Sequence, residues 1–383
     1  MTAFAPGIDV LWIAVVGLPF LTAAILACIG SWRIGTLVNA GSATVLAVLS
    51  CALPITLPDS LVLLTAVIAM TTSWYGRRDV AVAMAAHSLD RQRARVYHAA
   101  SQGFVGAAVL SLLTGQPILT WLALTLAMTA AAVIVGVVSS QAASRLALLC
   151  GLGLMLALLG ILLLDVTPTP ATLLIVLGYG GVAGLVPLHA WLGDAAAEGP
   201  APGAILVSTL LVSAPLLTFM RLPDAVAPGI LIALGSASLL CGGGLLLARP
   251  DPRRTVAYAG MAQVGMIEAA IGFGDAGAPR LIAMLALARA AVLQCEAESP
   301  PQYAAMLALA LLPLFALHQI AEAAVGVSAW LLVPLGIGAL LTSGGLLRDL
   351  AAGPVILPHR LMQAPVWLQL ALVVLLAFWV PIG

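Results

Sequence analysis

The sequence predicts an all-α polytopic membrane protein of about fourteen transmembrane helices, and three observations carry that prediction. Of 383 residues, 62% are hydrophobic and 8% charged, with a mean hydropathy of +1.15, whereas an ordinary soluble domain carries about 25% charge. Apolar runs bounded by charge, Pro or Gly recur along the whole chain. At roughly 20 residues per crossing, fourteen of them leave only short connections and no room for a soluble catalytic domain. The third observation is where the arginines fall. All 15 cations are Arg, balanced by 15 acidic residues, and the chain has no Lys.

The runs, here segments 1 to 14, lie at 10–30, 35–55, 59–76, 97–114, 117–138, 142–165, 171–192, 203–222, 227–248, 254–274, 280–297, 303–320, 326–347 and 362–381. Odd-numbered connections hold twelve arginines: Arg33, Arg77, Arg78, Arg91, Arg93, Arg95, Arg145, Arg249, Arg253, Arg254, Arg348 and Arg360. Even-numbered connections hold only Arg221 and Arg280, and Arg289 falls inside segment 11. Since Arg accumulates in short cytoplasmic loops, this alternation supports the count and places both termini on the outer face, as in a bacterial inner membrane. The N-terminus MTAFAPGIDV lacks the basic n-region of a cleaved signal, so segment 1 is expected to remain as a span.

Residues 1–96 are read as segments 1–3 with a basic cytoplasmic loop at 77–96, and 348–383 as the C-terminal segment. Between them, 97–222 and 223–347 each carry five segments, 4–8 and 9–13. Segment 7 holds Gly180, Gly184 and Pro187, and segment 12 holds Pro313. A mid-helix Pro removes a backbone hydrogen bond, so both are expected to be broken helices. They lie five segments apart and therefore run in opposite directions, the pattern of inverted repeats.

Trp32, Trp74, Trp191, Trp367 and Trp379 lie near segment ends, as in an interfacial belt. Cys28, Cys51, Cys150, Cys241 and Cys295 are scattered through apolar stretches and read as packing residues. Gly242, Gly243 and Gly244 offer a surface for close helix approach. His87, His98 and His359 have no ligand spacing, so no metal is expected. No nucleotide loop or nucleophile elbow occurs. The chain is expected to have no cofactor and no catalytic site of its own, and its zero net charge gives no reason to expect nucleic acid.

Two stretches carry a resemblance. GYGGVAGLVPLHAWLGDAAAEGPAPGAILVSTLLVSAPLLTFMRL at 178–222 and RPDPRRTVAYAGMAQVGMIEAAIG at 249–272 resemble the antiporter-like, proton-conducting membrane subunits of complex I, Mrp antiporters, membrane-bound hydrogenases and formate hydrogenlyases, and of inorganic carbon accumulation complexes. The resemblance implies a fourteen-helix, inverted-repeat subunit. Its work would depend on buried ionisable residues near the membrane midplane, and its partners would be other membrane and peripheral subunits.

Four relay positions implied by the resemblance hold Thr125, Val182, Ser213 and Gln263 here. None of these titrates usefully, so none can store a proton. The chain reads as a short, degenerate member of that family, structural or weakly conducting. The alternative is an active proton or sodium channel or antiporter using Glu268, Arg289 and His318.

Counted from opposite helix ends, Glu268 and Arg289 differ in depth by about 5 Å in a ~30 Å core, which predicts an ion pair. His189, Asp194 and Glu198 at the inner end of segment 7 read as a proton-entry cluster or as a polar cap on a broken helix. The orientation has a direct test. Alkaline phosphatase fused after residue 383 is expected to be active in cells and green fluorescent protein at the same point dark; the reverse result inverts the topology.

Overall fold

In the computed structural model the described residues are 10–54, 56–222, 227–248, 252–294, 300–324, 329–351 and 363–378. They are all-α: α1 Val10–Cys28, α2 Trp32–Ser50, α3 Leu57–Ala85, α4 Arg91–Leu113, α5 Pro117–Gly136, α6 Ser140–Leu163, α7 Pro168–Ala183, α8 Ala190–Glu198, α9 Ala201–Leu210, α10 Ser213–Phe219, α11 Ala227–Ala248, α12 Pro252–Gly272, α13 Ala278–Gln294, α14 Pro300–Ala323, α15 Leu332–Ala351 and α16 Gln363–Phe378. Among these residues nine helices are long and apolar enough to cross a membrane, with α9 and α10 taken as one span. All fourteen segments are occupied by helix, with α7 and α8 filling segment 7, and α9 and α10 filling segment 8. Arg249, Cys295, His359, Arg360 and Trp379, and the side chain of Arg253, lie outside the described residues.

The basic stretch at 77–96 is not a loop. Helix α3 runs 29 residues, about 43 Å at 1.5 Å per residue, and therefore extends past a ~30 Å hydrocarbon core. After a short turn, α4 begins at Arg91, with the Asp90 side chain accepting from the Arg93 N–H at 2.7 Å. Ala, Met and Arg favour helix, and an Asp cap starts the next one, so the charges sit on a helical hairpin.

Segment 12 is also corrected, because α14 continues through Pro313. The carbonyl that a proline at 313 leaves without its helical donor is that of Leu309. It accepts instead from Gln263 Nε2 of α12 at 2.6 Å. With that carbonyl satisfied, the helix has no need to open. Segment 8 does break, at Leu211–Val212. Pro215 withholds the N–H that would reach the Leu211 carbonyl, and Ser213 Oγ donates to the Thr209 carbonyl at 3.3 Å.

Small residues set the closest helix contacts. A Cβ at Gly153 of α6 would lie 2.5 Å from the Gly178 carbonyl of α7, and one at Gly178 would lie 2.5 Å from the Ala157 backbone N. The α11 and α12 pair meets through Gly235 against Gly265 and Gly242 against Ala262. Gly243 faces Leu341 and Gly338 of α15, while Gly244 faces open space. Lipid-exposed bundles gain most of their association from such van der Waals contact.

The two Arg residues of the even-numbered connections have structural work. Arg221 Nη1 donates to the Thr114 carbonyl at 2.7 Å, capping the end of α4, where a cation also meets the negative end of the helix dipole. Arg280 stacks over Phe315, 5.7 Å from the ring centroid. Of the cysteines in the described residues, only Cys150 is buried, while Cys28 and Cys51 are exposed.

Replacing Gly178 by Ala is expected to cost about 1–3 kcal/mol through overpacking. Gly151→Ala, where a Cβ would meet nothing within 4 Å, serves as the control. Thermal unfolding in detergent distinguishes them, and equal melting temperatures would contradict the packing assignment.

Candidate functional site

The break in segment 7 is the best-defined irregular backbone in the chain. α7 ends at Ala183, and Gly184 adopts φ +82°, a left-handed conformation in which a Cβ would also lie 2.9 Å from the Leu192 side chain. Such a terminus favours glycine. Leu185 N donates to the Gly180 carbonyl at 2.8 Å and Gly184 N to the Gly181 carbonyl at 3.2 Å. The indole of Trp191 reaches back and donates to Gly181 O at 2.8 Å. Val186 N donates to Ser238 Oγ of α11 at 3.1 Å. Each link satisfies a backbone group that the break would otherwise leave bare at membrane depth. Trp191 is therefore no member of an interfacial belt; it is 0% exposed and caps a helix end.

α8 carries the sequence-predicted acids into a charged cluster. Asp194, 8% exposed in its side chain, lies 2.6 Å from Arg145 of α6 and 3.3 Å from Arg254 of α12. Glu198 lies 4.0 Å from Arg254 and accepts from Ser139 Oγ at 2.8 Å. Arg145 and Arg254 read in the sequence as topogenic charge; here they also tie α8 to a helix from each half of the chain. Arg145 is half exposed, so its pair alone is worth little. The geometry gives strength to Asp194, which is buried between two guanidinium groups. His189 is half-buried beside this cluster, and its Nδ1 has no hydrogen-bond partner. Pro187 is exposed in the connection between α7 and α8.

The four positions where the resemblance implies relay groups are all accounted for locally. Thr125 Oγ1 donates to the Trp121 carbonyl at 2.8 Å. Ser213 donates to Thr209 O and Gln263 to Leu309 O, as above. Val182 is fully buried against α6, near Gly153.

The expected Glu268–Arg289 ion pair does not form. Both side chains are buried, at 0% and 1% exposure, yet among the described residues neither carboxylate oxygen and none of the three guanidinium nitrogens has a hydrogen-bond partner. The Arg289 guanidinium lies against Gly260 of α12, where a Cβ would come within 2.7 Å of both Nη1 and Nη2. Gly260 is two helical turns below Glu268, about 12 Å along the axis. The long Arg side chain turns toward the N-terminal part of α12, away from the carboxylate. His318, by contrast, is not buried. It is 71% exposed and pairs at 3.6 Å with an equally exposed Glu322 one turn on.

Two buried polar clusters escaped sequence reading. Gln294 Nε2 donates to Thr71 Oγ1 and Thr72 Oγ1, both at 3.1 Å, and Gln369 Nε2 donates to Thr71 Oγ1 at 2.9 Å, tying α13, α3 and α16. Gln102 Nε2 donates to Asn39 Oδ1 at 2.8 Å, and Ser42 and Thr22 continue that seam through α2 and α1. The only sequence signal was polar residues inside apolar runs. No group of three or more His, Cys, Asp or Glu suited to a metal occurs among the described residues.

Residues 105–294 match the family described as NADH:quinone oxidoreductase/Mrp antiporter, TM. The chain belongs to this membrane-subunit family. Among curated relatives, a Hydrogenase-4 component F homolog of Methylacidiphilum infernorum is 29% identical over 255 residues, 56% of this chain and 54% of that protein. Formate hydrogenlyase subunit 3 of Escherichia coli is 36% identical over 122 residues, 29% of this chain and 20% of that one. The chain thus spans about half, or less, of the length of these relatives.

Among solved structures, a chain of the archaeal membrane-bound sulfane sulfur reductase matches with TM-score 0.77 at 16% identity, covering 96% of this chain and 94% of that one. A chain of Thermus thermophilus respiratory complex I matches with TM-score 0.77 at 17% identity and 96% coverage of both. At such identities these matches establish the antiporter-like fold alone.

The Gln263–Leu309 bond makes a sharp energetic prediction. Gln263→Leu is expected to destabilise by about 1–3 kcal/mol, the cost of an unsatisfied buried carbonyl. In the Pro313→Ala background, where the helix supplies its own donor, the same change is expected to cost much less. A double-mutant cycle by thermal unfolding measures this, and additive effects would refute the clamp.

Proposed function

We propose that the chain is an antiporter-like integral membrane subunit of a multisubunit energy-coupled complex, serving as a structural or weakly proton-conducting member. The candidate complexes are of hydrogenase, formate hydrogenlyase, NADH dehydrogenase-like or inorganic carbon uptake type. One observation carries this reading above the others. Of the four positions where the family resemblance implies relay groups, three hold side chains that donate to backbone carbonyls, Thr125, Ser213 and Gln263, and the fourth is Val182 packed in the core. Such side chains brace helices and cannot take up a proton and release it. The names of the relatives, a hydrogenase component and a formate hydrogenlyase subunit, support membership of such an assembly.

On this reading the chain makes fourteen crossings with both termini on the outer face. Residues 97–222 and 223–347 form the two inverted repeats, and 1–96 and 348–383 flank them. The repeats have diverged. The first is opened in both segments 7 and 8, and its counterpart at Pro313 is held closed by Gln263.

The channel reading fares less well on geometry. His318 points outward, and about 12 Å of helix separates Glu268 from the level of the Arg289 guanidinium. A relay needs groups within hydrogen-bond reach, directly or through water.

Purification in mild detergent from native expression levels is expected to recover the 38.9 kDa chain with other membrane subunits and a peripheral redox or hydrating subunit. Recovery as a lone monomer would overturn the proposal. In proteoliposomes the isolated chain is expected to pass protons at a rate close to that of empty vesicles. A large flux abolished by Glu268→Ala or His318→Ala would instead establish the channel.

A further inference from the structure

Arg289 is the least explained group in the protein. It sits eleven residues into α13, about 16 Å from that helix's first residue, and its guanidinium meets α12 eight residues in, about 12 Å from the start. Both distances put the positive charge near mid-depth. It is 1% exposed, and Nε, Nη1 and Nη2 all lack a hydrogen-bond partner. No carboxylate of the described residues lies within ion-pair distance of it.

Arginine does not lose its proton in proteins, and a buried charge without a counter-charge is strongly disfavoured. A neutral partner is also missing among the described residues, since all three nitrogens are unpartnered there. Against α12 the guanidinium rests on Gly260, the one residue type that leaves a bare backbone there; even a methyl group would strike Nη1 and Nη2 at 2.7 Å. Five N–H donors in a rigid planar fork match an anion that presents two oxygens in one plane.

We propose that Arg289 is a buried binding site for a small monovalent anion, preferably a planar oxoanion held bidentately by the guanidinium resting on Gly260. The bound anion compensates the charge that no residue compensates and holds α13 against α12. This inference is independent of the proposed subunit role, because it concerns the isolated chain and its stability.

The test is thermal unfolding of the purified full chain at constant ionic strength, titrating nitrate or chloride against gluconate, which is too bulky to enter. Nitrate is expected to raise the melting temperature saturably by about 3 °C or more, and to act at several-fold lower concentration than chloride. A non-specific salt effect would have nitrate destabilise, so the sign is informative. Arg289→Gln is expected to abolish the dependence. Arg289→Lys keeps the charge but lacks the fork, so it is expected to respond to both anions with nitrate's advantage lost; this variant keeps the test open if the Gln variant does not fold. Equal melting temperatures in all three anions, or an undiminished nitrate preference in Arg289→Lys, would overturn the proposal and leave Arg289 solvated by water alone.

Discussion

The helix break after α7 and the unbroken helix at Pro313 share one constraint: a backbone carbonyl or N–H freed inside a membrane must be satisfied by the protein itself. At the end of α7 the constraint selects Trp191, whose indole reaches Gly181 O, and Ser238, whose hydroxyl receives Val186 N. At Pro313 it selects Gln263. In each case a polar side chain on an otherwise apolar surface is placed where a specific backbone atom needs it. The polar content of the interior is therefore better understood as backbone satisfaction than as a leftover of chemistry. The Thr71, Gln294 and Gln369 cluster and the Asn39, Gln102 and Ser42 seam extend the same logic between helices, holding side-chain amides and hydroxyls to one another.

The same constraint explains why two prolines in similar surroundings have different effects. Pro187 follows a left-handed Gly184 with glycines at 180 and 181, so the backbone on its N-terminal side already favours termination. Pro313 sits among Leu and Ala, strong helix formers, and its freed carbonyl is covered from α12. A proline opens a helix only where the flanking residues and the neighbouring helix allow it. At the break at Leu211–Val212, Ser213 turns its hydroxyl onto the Thr209 carbonyl, and Pro215 lies four residues beyond the Leu211 carbonyl it cannot serve.

Legibility in the sequence follows from how local each cause is. The all-α membrane class was readable because hydropathy is a property of each run taken alone, and the break at segment 7 because Gly184 and Pro187 lie within it. The break at segment 8 was readable in principle from Pro215, but that residue sits in a run with no glycine near it to draw notice. Pro313 was misread because its remedy, Gln263, lies on another helix. Asp194 and Glu198 stood out as acids at a membrane-proximal end, whereas their partners Arg145 and Arg254 were indistinguishable from loop arginines that set topology. The Glu268–Arg289 pairing failed because axial depth fixes a Cα, and an arginine side chain then spans several ångströms in a direction that sequence does not specify.

Joining α6, α8 and α12 through Asp194 and Glu198 has a consequence for how the halves of the molecule communicate. α8 is nine residues long, too short to be stable on its own. It is held by Trp191 at one end and by guanidinium groups from both halves at the other. A rigid short helix anchored to both halves resists relative motion between them. In a family member with titratable groups at the substituted positions, charge changes in the core would have something to move against this anchor. Here Thr125, Ser213 and Gln263 are committed to carbonyls and Val182 is packed in the core, and on the proposed reading the anchor stays without charges to work against it. Arg289, buried and without a hydrogen-bond partner among the described residues, stands apart from the acid cluster and from Glu268 alike.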